Sequence, residues 1–181
     1  TPLISAHTLH HLQHAAEQAD VVVLGIELDD PTGYGRLLID ETGQLQAIVE
    51  EKDASPQQRG ITLCNSGVMA INGKHLLGLL KQIKPHNAAG EYYLTDIVAI
   101  ANKQGLRCAA MEADAVNLAG INSRAQLANA EKMIQIFLRE KAMAEGATLV
   151  DPDSVYLSLD TKIGRDVTIH PQVVFGPGVT V

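Results

Sequence analysis

At 181 residues the chain is long enough for one ordinary domain and an appendage. Hydrophobic residues make up 46% of it, but aromatics only 3% and Trp is absent, so a core must be built from Leu, Ile, Val and Ala. The formal charge of −7 excludes a general basic field of the kind that holds nucleic acid or an anionic membrane, so a phosphate ligand needs local groups. Cys64 and Cys108 have neither metal-like nor CxxC spacing and read as buried small residues in a reducing compartment. No stretch reaches the apolar length of a membrane span and no signal peptide precedes the first helix, which points to a cytoplasmic protein. The opening TPLIS and the closing FGPGVTV both break off inside structured patterns, so both ends read as cuts.

Ser5 to Gln18 has helical spacing, with Ser5 as cap and Leu9, Leu12, Ala15 and Ala16 on one face. Val21 to Ile26 is a continuous apolar run, as expected of a strand covered on both faces. After the turn-rich DDPTGYGR (29–36), Arg36 to Asp40 and Gln44 to Glu50 form a hairpin through Thr42-Gly43. Glu51 to Gly60 is polar and mobile-looking. Leu63 to Ile71 is a further strand and Lys74 to Ile83 an amphipathic helix. The loop KPHNAAGEYY (84–93) leads to a helix from about Thr95 to Gln104, ended by Gly105, and Arg107 to Met111 is a short strand. The alternation predicts an α/β layered domain with a mainly parallel sheet and an inserted hairpin.

From GINSRAQL (120–127) the character changes. Ser123 with Gln126 fits a capping box, and Leu127, Ala130, Ile134, Phe137 and Leu138 keep helical spacing to about Glu145, where Gly146 stops the helix. This helix has the character of a connecting arm. From Val155 onwards Ile163, Ile169, Phe175 and Val181 recur every six residues, with Asp166, His170-Pro171 and Pro177-Gly178 between them. That period marks a β-helix, or by the residues alone an irregular tail.

Four groups of residues carry possible chemistry. His7, His10, His11 and His14 lie on neighbouring turns of one helix, a metal-ligand spacing, but no acidic partner joins them before Glu17 and Asp20, and a solvated polar face is the favoured reading. In GYGR (33–36), Gly33 and Gly35 flank Tyr34, either as a tight turn or as backbone that a flat or phosphorylated ligand approaches closely. In VEEKDA (49–54), alternation sends Glu50 and Lys52 to one face and Glu51 to the other; a carboxylate there accepts from sugar hydroxyls and a lysine holds phosphate, unless the strand end faces solvent. Asn65 sits among apolar residues, where its amide must bind its own backbone or a ligand, and Asn122 either caps the long helix or offers a neutral oxygen to a hard cation.

Taken in order, PLIS (2–5), DDPTGYGR (29–36), VEEKDA (49–54), NSGVMA (65–70), GEYYLTD (90–96) and GINSRAQL (120–127) resemble consecutive motifs of one family. It is the bifunctional N-acetylglucosamine-1-phosphate uridyltransferase and glucosamine-1-phosphate acetyltransferase family. The resemblance covers essentially the whole chain. It implies a truncated Rossmann-like α/β nucleotidyltransferase domain over 1–124, a linker helix over 125–146, and the first coil of a left-handed parallel β-helix over 147–181. It implies that Gly35, Glu50, Asn65 and Asn122 contact UDP-N-acetylglucosamine and that Asn122 also holds Mg2+. Tyr34, Lys52, Tyr93 and Thr95 match further positions near the sugar or its phosphate. The reaction implied joins UTP and N-acetylglucosamine-1-phosphate to give UDP-N-acetylglucosamine and pyrophosphate, for peptidoglycan and cell-wall synthesis. The parent of the family also acetylates glucosamine-1-phosphate from acetyl-CoA and is a cytoplasmic homotrimer.

The departures limit that implication. The family's glycine-rich nucleotide loop is absent from these residues, its other magnesium ligand belongs just before Thr1, and the acetyltransferase site belongs to later coils. The expectation is a fragment that carries the sugar side of a pocket and is inactive alone. Two alternatives stand beside it: another sugar-1-phosphate nucleotidyltransferase with a hexapeptide tail, and a non-catalytic trimerisation module.

Overall fold

The computed structural model describes residues 1–118, 120–121 and 123–181, with no account of the side chains at 116 and 117. The chain divides into two compact units, Thr1–Gly120 and Ile121–Val181.

The first unit is built on strand β1 (Val21–Glu27), whose residues Val21 to Leu24 and Ile26 are fully or almost fully buried. Strand alternation divides them between two cores. Val21 and Val23 join Leu37, Leu45 and Ile48 of β2 (Arg36–Ile39) and β3 (Leu45–Val49), beneath Leu79 of helix α3 (Gly73–Leu80) and Ile97, Val98 and Ala101 of α4 (Asp96–Lys103). Val22, Leu24 and Ile26 face the other way, onto Leu12 of α1 (Ala6–Ala15), Leu118 of α5 (Ala115–Leu118) and Cys64 of β4 (Leu63–Ile71). The predicted two-sided burial of this strand is borne out.

Strand order is β3-β2-β4-β1-β5, with β5 spanning Cys108–Glu112. The expectation of a mainly parallel sheet is corrected. Among the described pairings of this five-stranded sheet only β1–β5 is parallel, while β1–β4, β2–β3 and β2–β4 are antiparallel. An apolar run reports burial on both faces and says nothing of direction. Direction follows from the connection: between β1 and β4 lie a hairpin and the four-residue helix α2 (Pro56–Arg59), with no crossover helix of the length a parallel return needs. Helix α2 itself falls in the stretch read as mobile. Ser55 and Gln58 close a capping box around it and Pro56 opens its first turn, a start signal with no apolar run after it to draw attention.

Local chemistry matches the sequence at several ends. Ser5 Oγ accepts from Thr8 N at 3.0 Å to cap α1, which ends three residues sooner than predicted. His7, His10, His11 and His14 all lie on its exposed side, away from Leu12. In the hairpin turn Asp40 Oδ1 accepts from Thr42 Oγ1, Thr42 N and Gln44 N. These bonds, that of Thr42 first, hold the Asp40 carboxyl below the usual carboxylate range. The turn is thus supported above the unfolded pKa of Asp40, and that support is lost as pH falls through the lower folded value.

The second unit joins helix α6 (Arg124–Ala144) to a coil. Ser123 Oγ accepts from Gln126 N at 3.2 Å, and Gly146, at φ 109, makes the left-handed exit that ends the helix. Strand β6 (Thr148–Leu149) pairs in parallel with β7 (Thr168–Ile169), and parallel bridges join Tyr156 to Val174 and Lys162 to Thr180, each three hexads on. Leu157, Ile163, Ile169 and Phe175 face one interior with Val155, Val167 and Val173, and Leu138 and Ala142 of α6 close it. The coil begins at Thr148, earlier than the hexad pattern showed. Gln135, 5% exposed, replaces a strand partner: its Nε2 donates to Leu157 O at 2.7 Å and its Oε1 accepts from Leu157 N at 2.9 Å. No helix among the described residues is long and apolar enough to cross a membrane.

Replacing Gln135 by Leu fills its volume but orphans both Leu157 backbone groups, and urea unfolding should show the second unit destabilised by about 2–4 kcal/mol. Both cysteines are free and buried, and burial pushes the Cys108 thiol up to about 11. A thiol-specific disulfide reagent at mildly alkaline pH should therefore find no reactive cysteine in the folded chain and both in denaturant; prompt reaction of the native protein would contradict this packing.

Candidate functional site

The sheet register assembles the site. Arg36 pairs with Val49 of β3 on one side and with Cys64 of β4 on the other. One residue further along each antiparallel ladder, Gly35 lies beside Glu50 and beside Asn65. The second neighbour is fixed by Asn65 N donating to Gly35 O at 2.8 Å. Three sequence-predicted residues, spread over thirty positions, thus meet at one end of three adjacent strands.

Gly35 is buried, and a Cβ added there would lie 3.3 Å from Glu50 Oε2 and 3.1 Å from Ile48 Cγ2. The missing side chain is what lets the Glu50 carboxylate lie over this backbone. Glu50 Oε1 accepts from Thr95 Oγ1 at 2.9 Å. Thr95 stands at the N-cap of α4 yet makes no side-chain cap bond, so its hydroxyl serves the carboxylate instead. Asn102 pins the far end of the same helix to β3, its Nδ2 donating to Leu45 O, Gln46 O and Val98 O. Helix α4 therefore lies along β3 with both ends tied. Asn65 Oδ1 accepts from Gly67 N at 3.0 Å, which orients the amide; among the described residues its Nδ2 has no partner.

The remaining predicted residues are distributed unevenly. Tyr93 stands near the group: contact with the surrounding chain and then the carboxylates of Asp53, Glu91, Glu50 and Asp96 push its phenol above the usual range. The Tyr34 ring packs, half-buried, against the Val22, Leu24 and Ile26 face. Lys52 is exposed and no hydrogen bond or ion pair joins it to Glu50 or Asn65. Asn122 lies outside the described residues.

Sequence reasoning missed two features. Asp53 Oδ1 accepts from Ala88 N at 2.8 Å and so fastens the 84–93 loop to the end of β3. Arg36 is 1% exposed and its Nη2 stands 2.6 Å from Glu51 Oε2. The only signal for that pair was a charged residue opening an otherwise apolar strand opposite an acidic strand end.

A separate cavity of about 420 Å³ opens at the ends of β1 and β5, lined by Glu27, Glu112, Ala113, Asp114 and Ala115. None of Gly35, Glu50, Asn65 or Thr95 lines it. Among the described residues no three His, Cys, Asp or Glu side chains gather closely enough to hold a metal ion.

A polar cradle at the edge of an α/β sheet, followed in the chain by a helix-capped β-helical coil, defines a two-part protein of a recognisable class. Over its full length the chain is 53% identical to the bifunctional protein GlmU of Paramagnetospirillum magneticum and 54% identical to that of Azorhizobium caulinodans. Against GlmU of Agrobacterium fabrum it is 52% identical over 97% of the chain. The chain is thus homologous with the GlmU bifunctional proteins, and it spans 41%, 40% and 39% of the length of these three. No family model matches the chain. A nucleoside-diphosphate-sugar pyrophosphorylase from Vibrio cholerae superposes over 55% of this chain and 41% of its own at a TM-score of 0.44 and 13% identity.

Gly35→Ala should displace the Glu50 carboxylate and break its bond to Thr95. Urea unfolding is expected to report a loss of about 1–3 kcal/mol, and a variant as stable as the parent would show that the close approach does not matter.

Proposed function

We propose that this chain supplies the sugar-binding side of a uridyltransferase centre. There UTP and N-acetylglucosamine-1-phosphate become UDP-N-acetylglucosamine and pyrophosphate. The observation that carries the reading is the meeting of Gly35, Glu50 and Asn65 at one sheet edge, with Thr95 holding the carboxylate.

The chemistry is an in-line transfer. An oxygen of the sugar phosphate attacks the α-phosphorus of UTP, the bond to the β-phosphate oxygen breaks, and pyrophosphate leaves with that electron pair. No protein nucleophile enters. Glu50 accepts hydrogen bonds from hydroxyls of the hexose, and the Asn65 Nδ2 donates to a hydroxyl or carbonyl oxygen. Gly35 leaves room for both. Tyr93 and Lys52 are proposed for the outer wall, near the sugar and its phosphate, while the Tyr34 ring packs against the other face of the sheet and borders the cradle by its backbone. These groups hold the sugar phosphate still, and alignment is the larger share of such a reaction.

Magnesium belongs to the same proposal, with Asn122 as one ligand. Bound there it would neutralise charge on the phosphates, and no step is assigned through it. The 181 residues contain no glycine-rich nucleotide loop with its basic residues, so the chain by itself should show no turnover. The division into a nucleotidyltransferase part over 1–124, a linker helix over 125–146 and an acetyltransferase part over 147–181 belongs to the proposal as well. With it go acetylation of glucosamine-1-phosphate from acetyl-CoA by the longer protein, a role in cell-wall synthesis, and a cytoplasmic setting. A homotrimer is supported by apolar side chains left exposed on the second unit: Leu127 at 56%, Phe137 at 56%, Leu159 at 79% and Val174 at 74%.

Calorimetry or saturation-transfer NMR with UDP-N-acetylglucosamine tests the reading. The chain should bind it, and Glu50→Ala and Asn65→Ala should each weaken binding by about 10–100-fold while remaining folded. A folded chain that ignores the ligand, or that binds it equally well without Glu50, would overturn the function.

A further inference from the structure

The buried cation beside the cradle takes no part in the ligand contacts proposed above. Arg36 follows Gly35 directly, is 1% exposed, and so touches no ligand. Its guanidinium reaches three segments. Nη1 donates to Tyr34 O, Nη2 stands 2.6 Å from Glu51 Oε2, and Nη2 also donates to Arg59 O at 3.4 Å. Arg59 Nε lies 3.9 Å from Glu51 Oε1, which places Glu51 between two guanidinium groups.

As a device for stability this cluster is poor. The 2.6 Å approach is not aligned as a hydrogen bond, and both Glu51 Oε2 and Arg36 Nε are buried without one. Burying charge with atoms left unsatisfied costs more than an apolar pair of the same volume would. What the cluster does is geometric. Glu50 and Glu51 follow directly on β3, and with Glu51 held to the Arg36 side the Glu50 carboxylate lies on the other, over Gly35. The Nη1 contact holds the Tyr34 carbonyl, and with it the peptide that enters Gly35.

We propose that Arg36, acting through Glu51 and the Tyr34 carbonyl, is a positioning residue that sets Glu50 and Gly35 for the hexose of a sugar nucleotide. This rests on the UDP-N-acetylglucosamine reading given above. A buried guanidinium on one side of the strand end thus keeps a binding carboxylate in one place on the other.

The test uses the 181-residue chain and two variants, Arg36→Met/Glu51→Leu and Arg36→Lys. The double variant should unfold in urea at the parent's midpoint or above, yet bind UDP-N-acetylglucosamine about tenfold or more weakly, the scale of a misplaced binding group. The lysine variant keeps a charge beside Glu51 and should recover part of that affinity. In the double variant, with no nucleotide present, amide signals of Gly35, Glu50, Asn65 and Thr95 should move while those of Val21 to Leu24 stay. Binding within twofold of the parent would overturn the proposal. So would unmoved signals at those four residues, or a double variant that no longer folds, since the pair would then be a support of the fold. If the parent chain itself fails to bind the sugar nucleotide, the proposed function falls, and the ligand-free signals still decide the positioning role.

Discussion

The antiparallel pairing of Arg36 with strands on both sides is the constraint on which the candidate site depends. A register error of one residue would send Glu50 to the opposite face and put Gly35 against the wrong neighbour. The register is held from several directions. Leu37 and Ile48 are locked into the same core as Val21 and Val23, the Asp40 turn fixes the hairpin length, and Asn102 ties the strand to α4. The site is therefore built mainly on strands, with the 84–93 loop fastened beside it by Asp53.

Energetics divide the same way. The two cores flanking β1 are apolar, and their burial is the main driving force for the fold of the first unit. The polar interactions that matter are few and specific. Thr95 spends its hydroxyl on Glu50 and leaves its helix uncapped, Asn65 spends its oxygen on its own turn and keeps its nitrogen, and Gly35 gives up a side chain. In the second unit the economy is different: Gln135 stands in for a missing strand, and Arg139 donates to Pro152 O at 2.8 Å, so one helix satisfies the coil's backbone on its side.

Much of this was legible in the sequence, and the failures have physical reasons. Gly35, Glu50 and Asn65 each had an ordinary structural reading by residue type alone and were singled out by the family resemblance; the structure brings those three together. Thr95 could be named, but its loyalty to Glu50 over its own helix could not, because an N-cap threonine ordinarily caps. Strand direction was misread, since apolar runs encode burial and not orientation. Arg36 was missed because a buried guanidinium is defined by partners 15 and 23 residues away, and no local pattern announces them. The hexads of the coil were visible, whereas Gln135 looked like one more polar residue on a helix.

A crystal structure of the chain with UDP-N-acetylglucosamine tests the central claim most directly. The account predicts the hexose over Gly35, with a hydroxyl on the Glu50 carboxylate and an oxygen on Asn65 Nδ2. A ligand lodged instead in the cavity between Glu27 and Glu112, with Glu50 and Asn65 untouched, would contradict it.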